Sequence, residues 1–238
     1  MLDILVGSSR TAGGVAVARR WAATGSASVV VDLDLGSGGL DVTAGVEHLV
    51  GRRWSDLAEL RGAVPVGTLT GSLPHEHGCH VLSAGGPGPP DVPAAAVQDG
   101  RAALTGSVHP VVLDVPRSSP YLATALTSAT TVVVLAGLTT RALADADALV
   151  ERLVDAVESV EHPVDLRLVT RGPRPGAAVL DDVEAHLGVA HLHHLLDDPA
   201  VGRTAERCLW PGSGRDAVRR CADVVLEAML ARSVGRAS

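Results

Sequence analysis

The chain has 238 residues, 46% of them hydrophobic and 20% charged, with a formal net charge of −7 at pH 7. That composition excludes a disordered chain, no apolar run reaches the roughly 18 residues of a membrane span, and the acidic balance weighs against a nucleic-acid binder, whose phosphate contacts need a basic surface. All 20 basic residues are arginine, which excludes a Schiff-base lysine, a P-loop lysine and a Tyr-x-x-x-Lys pair. Met1-Leu2-Asp3-Ile4-Leu5-Val6 lacks the basic region of a signal peptide. Cys79, Cys208 and Cys221 are odd in number and scattered, so the expectation is a reducing, cytoplasmic setting without a disulfide framework.

Short apolar runs bounded by turn residues predict buried strands at Asp3–Val6, Ser28–Leu33, His80–Ser83, Pro110–Val115, Thr131–Ala136, Asp165–Thr170 and Val189–Leu192. Between them, helical patterns cover Gly14–Ala23, Trp54–Arg61, Pro93–Leu104, Pro120–Ser128, Arg141–Val160, Ala177–Leu187 and Ala200–Cys208, and Arg215–Ala231 closes the chain. In the longest, Leu143, Ala146, Leu149, Val150, Leu153, Val154 and Val157 form an apolar stripe expected to face the sheet. Alternating strands and helices predict an α/β fold, a mainly parallel sheet of about seven strands with helices on both faces. The Gly/Pro-rich stretch at 84–93 reads as a loop, because the strand–helix rhythm resumes after it, and residues 1–238 read as a single domain.

Ligands of open α/β sheets bind beyond the carboxyl ends of the strands. The first such end is Gly7-Ser8-Ser9-Arg10-Thr11-Ala12-Gly13-Gly14-Val15. A glycine-containing turn before a helix N-terminus can cradle phosphate with backbone N–H groups, but a working P-loop ends in Gly-Lys-Ser/Thr, and this one ends in Gly13-Gly14-Val15. The second end is Val29-Val30-Val31-Asp32-Leu33-Asp34, followed by Leu35-Gly36-Ser37-Gly38-Gly39-Leu40-Asp41. Its carboxylates at i and i+2 are expected on one side of an extended chain, aimed at the first turn. The third, Val111-Val112-Leu113-Asp114-Val115-Pro116, has the form of a Walker B strand, whose carboxylate holds Mg²⁺ through water.

These three segments, in this order, resemble the MinD/ParA class of deviant Walker ATPases, and most of all its CpaE-like, TadZ-like branch, whose actinobacterial members are called septum-site-determining (Ssd) proteins. Thr131–Thr140, Leu166–Gly172 and Gly188–Pro199 with Trp210-Pro211-Gly212 are similar to later segments of that branch, so the resemblance runs through essentially the whole chain. It implies a P-loop NTPase fold. It places the signature lysine near Ser9, the main lysine at Gly14 and the Mg²⁺-binding hydroxyl at Val15, none of which is kept, while Asp34 matches the switch aspartate and Asp114 the Walker B aspartate. A vestigial phosphate loop of Ser9, Arg10, Thr11, Gly13, Gly14 and Val15, with Asp34 and Asp114, is the expected site. No catalysis and no cofactor are expected there, beyond ATP and Mg²⁺ at low affinity. The implied role is a localisation or regulatory scaffold for septum-site determination and cell division, or for Tad-type pilus and secretion assembly. The resemblance implies a monomer or constitutive homodimer that meets protein partners at a division site or pole, and the N-terminal receiver-like domain that relatives often carry is expected to be absent or to lie outside this numbering.

Two alternatives stay open at this level. One is a weak ATP-binding ATPase of the same family. The other is a nucleotide- or dinucleotide-binding, short-chain-dehydrogenase-like protein, for which the glycine turn and Val29–Asp34 are the signal. The tract His75-Glu76-His77-Gly78-Cys79-His80 and the group His186, His191, His193 and His194 read as ordinary histidines and not as a metal site. The C-terminal helix, with Arg219, Arg220, Arg232 and Arg236 around an apolar side, is expected to pack on its own sheet, with peripheral membrane contact as the alternative.

Overall fold

Valine runs such as Val29-Val30-Val31 and Val132-Val133-Val134 have no polar alternation, so a strand made from them must be covered on both faces. The computed structural model describes residues 2–7, 12–36, 39–58, 62, 65, 67–85, 92–105, 109–176, 178–207 and 209–236. Strand β1 (Leu2–Gly7) leads to helix α1 (Ala12–Ala22), strand β2 (Ser28–Asp32) and the short helix α2 (Leu40–Ala44). A 3-10 turn (Trp54–Leu57) and helix α3 (Thr68–Ser72) precede strands β3 (His75–Glu76) and β4 (Cys79–Leu82). Then come α4 (Ala94–Thr105), β5 (Val111–Pro116), α5 (Leu122–Leu126), β6 (Thr131–Gly137) and α6 (Thr140–Glu158). The chain continues through β7 (Asp165–Gly172), α7 (Val179–Leu187), β8 (His191–Leu196), α8 (Pro199–Glu206) and α9 (Ala217–Arg236).

The strands form one eight-stranded sheet in the order β3-β4-β2-β5-β1-β6-β7-β8. Among the described residues only the two-residue arm β3 is antiparallel, so the expected parallel sheet is present, with all seven predicted strands in it. The period of two sorts each valine run between two cores. Val29, Val31, Leu113, Val132, Val134 and Leu168 pack with α4, α5, α6 and α7. Val30, Val81, Val112, Val133 and Val169 pack with α1, α2 and α9.

Strand order decides against the dehydrogenase alternative. Dinucleotide-binding sheets run 3-2-1-4-5-6, whereas here the fourth parallel strand, β5, is inserted between β2 and β1. Smaller corrections have local causes. Trp54–Leu57 is a 3-10 turn and not the start of a long helix, and residues 59–61 of that expected helix lie outside the described residues. In α6 the residues Ala146, Leu149, Val150 and Leu153 are buried, but Val154 sits on the flank at 41% exposure. The last strand is displaced toward the C-terminus, to His191–Leu196, with an irregular register at Leu168/Val169.

Candidate functional site

The chain leaves β1 toward β2 on one side, and leaves β5 toward β6 on the other. The direction of winding therefore switches around β1, and the crevice outside the carboxyl ends there is where such sheets bind ligands. The start of α1, the turn after β2 and the Asp114 end of β5 meet at this place. Ser9, Arg10 and Thr11 of the expected phosphate loop lie outside the described residues.

Gly13, Gly14 and Val15 form the first turn of α1. Gly14 lies directly on Asp114: a Cβ at position 14 would stand 3.1 Å from both Cβ and Oδ2 of Asp114. Asp114 is itself buried, in register with Leu5 of β1 on one side and with Asp32 of β2 on the other. The position that the resemblance gives to the main lysine is thus in contact with the Walker B-like carboxylate, and a side chain there must push against a central strand. Val15 is 0% exposed and belongs to the core between α1 and the sheet. Its methyl groups occupy the position that the resemblance gives to a metal-binding hydroxyl.

Asp34 does not share a strand side with Asp32, because β2 ends at Asp32 and the chain turns away. Asp32, only 3% exposed, accepts the Asp34 N–H on Oδ1 at 2.9 Å and the Leu40 N–H on Oδ2 at 2.9 Å. It closes the Asp34-bearing turn and satisfies the start of α2. Burial raises its pKa to about 6, against the lowering effect of those two hydrogen bonds. Asp34 is half-buried in the turn itself. Gly39, at φ 83, turns the chain into α2 in a conformation that L side chains rarely adopt.

A second layer holds this turn from behind. The Trp54 Nε1–H donates to the Asp32 carbonyl at 2.8 Å, and the Leu33 N–H donates to the Asp114 carbonyl at 2.9 Å. The Ser119 hydroxyl donates to the Leu33 carbonyl at 3.1 Å. Arg53, 8% exposed, pairs with buried Asp41 at 3.3 Å and also donates to the carbonyls of Val46 at 3.0 Å and Gly51 at 3.3 Å. Sequence reasoning missed Asp32 as the closing residue, although an Asp two residues before a turn is a recognisable signal for such side-chain-to-backbone bonding. It had no signal for Arg53 or Trp54, whose partners are set by tertiary packing.

The histidines fall elsewhere. His75 and His80 stack across the β3–β4 hairpin with ring centroids 4.8 Å apart, and His80 lies 6.3 Å from His109. Burial and the neighbouring imidazoles lower the pKa of His80. The rings of His191 and His194 each share a hydrogen bond of 2.9 Å with the Thr170 hydroxyl, which ties β8 to β7. Among the described residues no group of three or more His, Cys, Asp or Glu is arranged to hold a metal ion. Helix α9 buries Val218, Ala222, Val225, Leu226 and Met229 against α1 and the sheet, and no described helix is long and apolar enough to cross a membrane.

No family model matches the chain. It is 31% identical over 209 residues to the uncharacterized protein Rv3660c of Mycobacterium tuberculosis, an alignment that covers 85% of this chain and 56% of that protein. The chain thus spans little more than half the length of the curated relatives it matches. Among solved structures it is similar to a ParA family ATPase from Chlorobium tepidum, at a TM-score of 0.71 and 12% identity over 92% of this chain and 95% of that one. It is also similar to the MinC:MinD cell division protein complex of Aquifex aeolicus, at a TM-score of 0.69 and 12% identity over 96% of each chain. With its sheet order and its crevice at the β1 switch point, the chain has the fold of the MinD/ParA-type P-loop ATPases.

Proposed function

We propose that this chain is a MinD-type scaffold that works without ATP turnover. It acts through protein partners in septum-site determination and cell division, or in Tad-type pilus and secretion assembly, as a member of the CpaE-like, septum-site-determining branch. The observation that carries this reading is the contact of Gly14 with Asp114, where a Cβ would stand at 3.1 Å. A phosphate loop that neutralises the β- and γ-phosphates needs an ammonium at this position and a hydroxyl at the next. Gly14 has no side chain, and Val15 is sealed in the core. Losing both removes several kcal/mol of transition-state stabilisation, on the order of that supplied by other preorganised charge contacts.

On this reading the Asp34 and Asp114 carboxylates have no catalytic work. Asp34 sits in a turn closed by Asp32, whose carbonyl accepts from Trp54, and Arg53 and Asp41 hold the following segment. A turn fixed in this way suits a protein that offers partners one constant surface. Backbone N–H groups at the start of α1 leave room for ATP and Mg²⁺ at low affinity only. The partners are proteins, as MinC is for MinD in the Aquifex aeolicus complex, and the place of action is a division site or pole, with at most peripheral membrane contact. The described chain acts as one MinD/CpaE-like unit, monomeric or constitutively dimeric.

Light scattering during size exclusion, with and without Mg-ATP, tests this reading. The mass is expected to stay the same in both. A shift from monomer to dimer on adding ATP would show that a nucleotide switch survives without its lysines.

A further inference from the structure

Among the described residues β8 is the last strand of the sheet and pairs with β7 alone. Its register slips at Leu168/Val169, which interrupts the backbone ladder. Side chains make up part of the tie. Thr170 of β7 is 0% exposed and shares the sheet face of Leu168, opposite α1 and α9. Its hydroxyl oxygen lies 2.9 Å from His191 Nε2 and 2.9 Å from His194 Nδ1, both on β8. His194 Nε2 lies 3.1 Å from the Pro173 carbonyl.

These contacts fix the protons. A carbonyl only accepts, so His194 Nε2 carries a proton and donates to Pro173. In a neutral ring Nδ1 is then an acceptor, and it takes the Thr170 hydroxyl proton. The Thr170 oxygen accepts in turn from His191 Nε2–H. One added proton is accommodated. It sits on His191 Nδ1 with the chain unchanged, or on His194 Nδ1 with the hydroxyl turned to donate to His191 Nε2. Two added protons are not. Both nitrogens facing Thr170 then donate, its own proton has no ring nitrogen left to accept it, and two imidazolium ions flank one buried oxygen. The surrounding charges are mixed. Burial lowers the pKa of His191, helped by His194, against the raising effect of Glu184 and Asp181 on α7. Glu184 also accepts the His191 backbone N–H at 3.0 Å. His193 is lowered by burial, by His191 and His194 and by Arg220 on α9. Arg171 pairs with Asp197 at 3.4 Å beyond the strand end.

We propose that Thr170, His191 and His194 form a latch that admits one proton and opens on the second, releasing β8 from β7. Protons come from solvent, and no other reactant is needed. The strand runs directly into Asp198, whose carboxylate accepts the N–H groups of Ala200 at 2.8 Å and Ala217 at 3.3 Å. Release of β8 therefore loosens the starts of α8 and α9 as well. This inference does not rest on the loss of ATP turnover.

The test is amide hydrogen exchange of the full chain from about pH 8 to about pH 5, the range in which imidazoles titrate, with rates corrected for intrinsic exchange. Protection of the β8 amides, Asp197 N–H to the Gly172 carbonyl among them, is expected to fall about tenfold or more, while β1 and β5 keep theirs. His194→Gln cannot take the second proton and is expected to keep β8 protected at both ends of the range. Thr170→Val lacks the hydroxyl and is expected to lose β8 protection already at pH 8, and Thr170→Ser to behave as the parent. The proposal is overturned if β8 protection in the parent does not change with pH, or if β1 and β5 lose protection along with it. It is overturned equally if His194→Gln shows the parent's drop, which then comes from His193 or another group. A fall in Thr170→Ser like that of Thr170→Val also overturns it. If Thr170→Val does not fold, His194→Gln decides alone.

Discussion

Replacing Asp32 by Asn tests whether a buried carboxylate closes the Asp34 turn. Asp32 is 3% exposed, and burial raises its pKa from 3.8 to about 6. A carboxyl whose folded pKa lies above its unfolded value binds more protons in the folded state between the two. Its contribution is therefore fully present below about pH 4 and is lost as the pH rises through about 6. At 1.36 kcal/mol per pKa unit the swing is about 3 kcal/mol. Other carboxylates run the opposite way: Asp198 is held low by its backbone hydrogen bonds and Asp145 by Arg117. The informative quantity is accordingly the difference between parent and Asp32→Asn, measured by urea unfolding from about pH 4 to 8. The parent's stability relative to the variant is expected to fall by about 3 kcal/mol between pH 4 and 7 and to level off above. Asn keeps one acceptor for the Asp34 and Leu40 N–H groups, so it adds a pH-independent offset of about 1 kcal/mol. A difference that is flat, or that rises with pH, would refute the buried, raised carboxylate.

Three further outcomes follow from the same geometry. Gly14→Ala gains about 0.5–1 kcal/mol of helix propensity but overpacks against Asp114 at a cost of about 1–3 kcal/mol, so a net loss in urea unfolding is expected, and a stabilised variant would show that the contact is loose. Arg53→Leu leaves Asp41 buried without its guanidinium and should cost about 3–5 kcal/mol in the same assay. Trp54→Phe removes the donor to the Asp32 carbonyl and should cost about 1 kcal/mol, checked by thermal melting.

The parallel sheet was legible because each central strand is a valine or leucine run that only two covered faces can accommodate, as at Val111–Val115 and Thr131–Ala136. The β8 strand was harder to place. His191-Leu192-His193-His194-Leu195-Leu196 is half-buried throughout, with no clean alternation, and His191 and His194 are held by Thr170 from the neighbouring strand. The arm β3 and helices α2 and α3, of two and five residues, are too short to carry a period of their own. At the site, the residue types at Gly14, Val15 and Asp114 were legible, but their contact was not, since it needs the three-dimensional approach of α1 to β5. The role of Asp32 was obscured by Asp34 beside it, because an extended reading puts both on one side, and the chain in fact turns between them.

The central claim is that this MinD/ParA-type fold does its work without hydrolysing ATP. The most direct measurement is release of labelled phosphate from ATP and Mg²⁺ by the purified chain, beside Asp34→Ala. The account predicts no release above background in either protein. Turnover in the parent that disappears in Asp34→Ala would contradict it, by proving a working site at the turn that Asp32 closes.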